Sequence, residues 1–424
     1  MADAQTLSIG QAGYTLNLAT PSEPGTSITA ATRGTTASRI FDVRSAAGQG
    51  AIITNLGIGA NNNSGAAYTA VQTSTVNAYD ATSGLQANLG DGRDTLNLFA
   101  AADGASIELD ATQDSAGGGN DLLNAQSDFI NSSVAAGLGN DTVRIGGTAN
   151  GSSFYLGGGN DSLYLVGSSE GVYVNGDAGS DTLFFTGTQT NALVYGGDGA
   201  DSITFLNGTP GGNSGLVGTY EFGSAGVDSG SGNDTIVFGI NSSSDNFALN
   251  TGIGSDVVQL NGSVSDAQIS LGSDVSGAKG DSLSMTGTMF NSSIASGNAG
   301  GDVLVFGAGS SVTNTSFVLG GGNDSLVFGS TVSGDIYSPT LISLGGGNNT
   351  LTFGATSYVD GYNIDLASGL ADTISFQGSF GDNVIISGAN TSDVLYVGSS
   401  QYSYVAPDNI WENIANSSDT IRFA

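Results

Sequence analysis

The chain has no cysteine and no histidine, only seven basic residues and five prolines among 424 residues. Without cysteine there is no disulfide framework, and reducing and oxidising compartments are equally open to it. Without histidine, Ser-His-Asp and Cys-His nucleophilic sites, His-ligated zinc and HExxH proteases are excluded. No apolar run approaches the ~18 residues of a membrane-spanning helix, so no membrane insertion is expected. The opening MADAQTLSIGQAGYTLNLAT lacks a basic region followed by an uninterrupted apolar core, and so does not read as a Sec signal. Arg93, Arg144 and Lys279 are the candidates for a lyase-type base. Each sits in or directly after a turn motif, where an outward, solvated side chain is the simpler reading. Paired carboxylates for glycoside hydrolysis find no distinguishing pair among many acids. The chain is not expected to be an enzyme.

Charge is scarce but one-sided: 38 acidic against 7 basic residues give a net charge of −31. Such a surface suits neither nucleic acid nor an anionic membrane, and its natural partners are cations. The 69 glycines follow no Gly-X-Y period, which excludes collagen. Apolar residues at regular spacing exclude generic disorder.

What is abundant is repetition. GGGNDLLN, GLGNDTVRI, LGGGNDSLYL, NGDAGSDTLFF and GGDGADSITF place Asp121, Asp141, Asp161, Asp181 and Asp201 every 20 residues. The series extends back to Asp94 and on through Asp234, Asp256, Asp281, Asp302 and Asp324 to Asn349, Asp372, Asp393 and a degenerate Asp419. A fixed period of this length marks a solenoid, whose coils bury their apolar faces by stacking. After each key position apolar residues alternate, as in Leu163 and Leu165, Leu183 and Phe185, or Leu326 and Phe328, which is a half-buried strand. A second apolar piece precedes many motifs, among them Leu156, Val172 with Val174, Leu193 with Tyr195, and Ile342 with Leu344. Each coil therefore reads as two short strands. They are joined by the motif turn and by a variable turn such as GSSEG, GTQTN or NSSSDN. The expected fold is all-β, a parallel β-solenoid resembling a β-roll, of about 15 coils of 20–27 residues, with capped ends.

The G-x-G-x-D turn carries the chemistry. Glycines permit left-handed backbone angles and bring carbonyl oxygens close together, and the aspartate adds an anionic oxygen. Oxygen-only coordination with flexible geometry suits Ca²⁺ better than Mg²⁺. Carboxylates ~5 Å apart repel by roughly 0.8 kcal/mol in water and about 3 kcal/mol at an effective dielectric near 20, so a column of them calls for cations. The candidate Ca²⁺ ligands are Asp94, Asp121, Asp141, Asp161, Asp181, Asp201, Asp234, Asp256, Asp302 and Asp324, with Gly157, Gly159, Gly197, Gly199, Gly320 and Gly322. Asn349 lacks the charge, and Asp281, in GAKGD, has altered glycine spacing beside Lys279. Both are expected to be weaker sites.

These repeats resemble the calcium-binding nonapeptides of the RTX (repeats-in-toxin) family, G-G-x-G-x-D-x-apolar-x. The resemblance is closest in GGGNDSLYL (157–165), GGGNDSLVF (320–328) and GGDGADSIT (196–204), and covers roughly residues 89–397. It implies a parallel β-roll that folds on binding Ca²⁺ and export by type I secretion with an uncleaved C-terminal signal. The C-terminal DTIRFA is similar to such an ending, although it also repeats this chain's own strand pattern. The family repeats its motif in tandem, on both edges of the roll. Here there is one motif per coil, so a single ion column on one edge is expected, opposite an unspecialised edge.

Residues 1–85 lack the motif and carry Arg33, Arg39 and Arg44 against four acids, which suits a β-rich cap or a docking module. Residues 86–397 form the repeat region, interrupted by an excursion at 206–229, and 398–424 a C-terminal cap in which Asp408 would open one helical turn. In composition the chain is similar to bacterial surface-layer and surface-motility proteins. The expected role is an extracellular, calcium-binding structural protein, a subunit that self-assembles into a surface layer, filament or cell-surface coat. The alternatives are a virion fibre or appendage protein, and an adhesin or carbohydrate-acting β-helix enzyme.

Overall fold

In a computed structural model the chain is an all-β solenoid of about 13 turns, with no helix among the described residues. The structure describes the strands Thr26–Thr29, Arg39–Val43 and Ala51–Thr54, and then residues 74–421. Within that span 80, 81, 90, 91, 111–117, 207–215, 218–225, 241, 273–278, 335–339, 367–369, 407 and 417–419 are outside the described residues. Most of the 206–229 excursion, Arg33, Arg44 and Asp419 fall there. No helix among the described residues is long and apolar enough to cross a membrane. Two compact units, Met1–Ser202 and Ile203–Ala424, share this architecture.

Each coil has three strands rather than the two expected. The first, on what we term the motif face, follows the aspartate and alternates strictly. In Ser162–Leu165, Leu163 and Leu165 are buried while Ser162 and Tyr164 are not. A corner then leads to a short second strand, such as Ser169–Glu170 or Thr288–Phe290. After a second corner the third strand runs back to the next motif, as in Ser153–Gly158 or Ser316–Val318. The second strand is hard to find in sequence because it turns a single residue inward. That residue is often polar: Ser169 and Gln189 hold the position in consecutive coils, and Gln189 Nε2 donates to the carbonyls of Gly167 and Gly187.

All coil-to-coil pairings are parallel and in register. In the first unit Leu123, Val143, Leu163 and Leu183 form one interior row. The strands Arg39–Val43 and Ala51–Thr54 join the same parallel sheets. Register also corrects one assignment. Leu193 and Tyr195 do not point inward; Val194 does, because Val174 sits directly beneath it. In the second unit Phe306, Phe328, Phe353 and Phe376 stack as a column of buried rings with centroids 5.1, 5.4 and 5.0 Å apart. That spacing is the interstrand distance of a sheet. Parallel stacking thus places like side chains over one another, in the offset contact that aromatic pairs favour.

The variable turns conceal a second regular corner. GSSEG, GTQTN and NSSSDN end in Gly171, Asn191 and Asn246, all left-handed, with φ of 65°, 52° and 50°. Asp266, Asn291 and Asn314 take the same conformation later in the chain. Asparagine and aspartate tolerate it better than other non-glycine residues, so the corner is specialised after all.

At the C-terminus the pairing becomes antiparallel. Ser400–Val405 folds back on Val394–Val397, and Ile410–Asn413 on Ser400–Val405. Asp408 lies in the turn of that hairpin beside left-handed Asn409, not in a helical turn.

Phe328→Ala, in the middle of the ring column, is expected to cost ~3–5 kcal/mol in urea unfolding. Val303→Ala on the exposed side of the same face should stay within about 0.5 kcal/mol. Equal losses would contradict the assignment of inside and outside.

Candidate functional site

The aspartates of the motif stand in a column, one per coil, at the corner between the third strand and the motif face. The column lies in the interior. No rung from Asp94 to Asp393 is more than 2% exposed. Asp141 Oδ1 accepts the backbone N–H of Asp121 at 2.7 Å, Asp161 Oδ1 that of Asp141 at 2.6 Å, and Asp181 Oδ1 that of Asp161 at 2.8 Å. Asp121 caps Asp94 and Asp201 caps Asp181 in the same way. In the second unit the bonds run from Asp234 through Asp256, Asp281, Asp302 and Asp324 to Asn349, Asp372 and Asp393. Asp281 and Asn349, set apart by sequence, occupy full rungs. An outer ladder runs beside this one: Asn140 N–H donates to Asn120 Oδ1 and Asn160 N–H to Asn140 Oδ1.

The candidate glycines Gly157, Gly159, Gly197, Gly199, Gly320 and Gly322 all have positive φ and form the turn itself. The reason is clearest at Gly159, where φ is 135° and an added Cβ would lie 1.7 Å from the Gly139 carbonyl oxygen. The coil beneath therefore leaves no room for a side chain, whether or not an ion is bound.

One oxygen of each rung is thus committed to the backbone. In Asp121, Asp141, Asp161, Asp181 and Asp324 the other oxygen, Oδ2, is buried and has no hydrogen-bond partner. Asn349 shows what that position faces, since its Nδ2 donates to the Leu344 carbonyl, five residues earlier, at 2.8 Å. Asp181 Oδ2 points the same way, because a Cβ on Gly176, also five residues earlier, would come within 2.4 Å of it. An ionised carboxylate would therefore present a negative oxygen to a carbonyl oxygen. Such an arrangement needs a proton or a cation between the two.

The electrostatics agree. Burial raises the carboxyl groups of Asp141, Asp181 and Asp324 to about 6 and that of Asp161 to about 7, against an ordinary 3.8, in part offset by the N–H each accepts. Asp121 rises to about 9, chiefly by burial, with Asp110, Asp141 and Asp94 adding repulsion. Asp110 was not singled out by sequence. It is a buried aspartate without the glycine pattern, and only the register of the coils brings it to the column. Among the described residues no group of three or more acidic side chains converges as a metal cluster. Any ion on a regular rung would rely on one carboxylate per coil with backbone carbonyls.

Arg93, Arg144 and Lys279 are all exposed, as solvated side chains should be. A surface groove runs along the second corner of the second unit, lined by Asp245, Asp266, Gln268 and Asn291 among other polar residues. No protein-family model matches the chain, and no curated protein matches it in sequence.

In metal-free protein a rung with a raised pKa stabilises the fold only while protonated. That contribution is whole below 3.8 and is lost as pH climbs through about 6 for Asp141, Asp181 and Asp324 and about 7 for Asp161. With chelator present, and salt added to screen surface charge, the melting temperature should fall steadily across that window. A flat profile would contradict the burial of uncompensated carboxylates.

Proposed function

We propose that this is a calcium-binding structural protein that self-assembles outside the cell, as a subunit of a surface layer, filament or coat of the RTX type. The observation that carries the reading is the set of buried carboxylates in the column, those of Asp121, Asp141, Asp161, Asp181 and Asp324, whose second oxygen lacks a hydrogen-bond partner. Calcium accepts oxygen ligands in irregular geometry. Asp121, Asp141, Asp161, Asp181 and Asp324 would supply the charge through Oδ2, with neighbouring carbonyls such as the one Asn349 meets completing the shell. Binding an ion to the stacked coils, but not to the unfolded chain, would stabilise the fold by linkage. The absence of histidine and the exposure of all three candidate bases support a building block over a catalyst. The acidic composition suits an extracellular setting rich in divalent cations, and the RTX resemblance implies type I secretion as the route.

Asn349 supplies the sharpest test, because it is a rung that needs no cation. Asp161→Asn with Asp181→Asn should copy it, raising metal-free stability at neutral pH by about 1–3 kcal/mol in total, the scale of an unsatisfied buried polar group. It should also remove part of the Ca²⁺-induced gain. The alanine pair should lower stability in both conditions. For the parent protein, circular dichroism and light scattering should show chelator reducing β content and dispersing assemblies, with Ca²⁺ restoring both. If EGTA changes neither, calcium is not the structural ion.

A further inference from the structure

The rung at Asp121 has a second buried carboxylate, that of Asp110, beside it. Coil register places Glu108 beneath Ala135, and hence Asp110 beneath Gly137, in the column held further on by Gly137, Gly157, the exposed Asp177 and Gly197. The Asp110 side chain therefore lies over the next coil, where a Cβ on Gly137 would come within 2.4 Å of the Asp110 Cβ. Its Oδ2 accepts the Leu138 N–H at 3.0 Å and its Oδ1 the Gly119 N–H at 3.4 Å. Both donors belong to the motif turns that hold Asp121 and Asp141.

Two buried carboxylates thus meet at one turn. Asp121 Oδ1 is taken by the Asp94 N–H, while its Oδ2 is buried without a hydrogen-bond partner. The charges acting on Asp121, those of Asp110, Asp141 and Asp94, are all negative. Further along the first-unit column this position is a glycine or, at Asp177, an exposed acid; here it is a second buried anion. Affinity for Ca²⁺ rises with the number of anionic ligands at a site.

We propose that Asp110 and Asp121 together hold one hard divalent cation, Ca²⁺ by ligand chemistry, at a site distinct from the regular rungs and tighter than any of them. Asp121 Oδ2 and the carboxylate of Asp110 are its anionic ligands. The backbone N–H bonds to Gly119 and Leu138 fix Asp110 for that role. The site stands on its own two side chains and does not require ions elsewhere in the column.

The test is calorimetric titration of the full, chelator-stripped chain with CaCl₂, comparing the parent with Asp110→Asn and Asp110→Gly. Asp110→Gly restores the glycine of the column, and Asp110→Asn keeps the shape without the charge, so a fold defect in one leaves the other informative. Removing even an outer-shell partner of a metal costs ~10–100-fold in affinity. The tightest binding event should therefore weaken by at least ~10-fold in both variants, with later Ca²⁺ uptake unchanged. A tight event unaltered in both, or none in the parent, overturns the site. Asp161→Asn in the same series separates this site from the column. Loss of uptake there, with Asp110 variants unaffected, would leave the regular rungs as ligands and remove this one. The reverse result would keep this site and remove the others.

Discussion

A buried carboxylate that caps the backbone N–H of the coil before it is the interaction on which the rest depends. Strand-to-strand hydrogen bonds cannot continue around a tight corner, so each turn leaves an amide that must find an acceptor. The aspartate supplies it from the next coil, at 2.6 to 2.9 Å throughout. This fixes where every coil must return its aspartate, although the length of chain between rungs varies. It also requires the glycines, since a carbonyl of the coil beneath occupies the space of their side chains. The apolar rows and the phenylalanine column then fall into register.

The second consequence is electrostatic. An aspartate brings two oxygens where the backbone needs one acceptor, and the spare oxygen is carried into the interior. Asn349 resolves the surplus with an amide N–H. Asp121, Asp141, Asp161, Asp181 and Asp324 do not, and their carboxyl groups are pushed well above the ordinary range. On this account the ladder is a structural device first, and its capacity to hold protons or cations follows from using aspartate in place of asparagine. On the proposed reading, a fold tightened by calcium outside the cell, and loosened where the ion is scarce, would assemble where it is needed.

Much of this was legible in the sequence. The 20-residue spacing of aspartates and the alternation at Leu163 and Leu165 point to a parallel solenoid, because both periods are imposed by backbone geometry. The second strand was hidden by its brevity and its polar inward residue, as at Gln189. The specialised corner was hidden because Gly171, Asn191 and Asp266 meet one backbone requirement with different letters. Alternation alone could not choose between Leu193 and Val194, which only the neighbouring coil decides. At the site, sequence found the aspartates and put them in one column along one edge; that their side chains turn inward was not legible, since spacing reveals a column and not the direction in which it faces. Asp110 has no local signature at all. Its position follows from pairing with a coil 27 residues away.

The central claim is that the spare rung oxygens carry a proton or a calcium ion and never stand bare. An infrared difference spectrum, recorded as Ca²⁺ is added to metal-free protein near pH 6, tests it directly. The account predicts a protonated-carboxyl band in the metal-free protein that disappears on adding Ca²⁺, with protons released as the ion binds. A metal-free spectrum with no such band, unchanged by Ca²⁺, would contradict it.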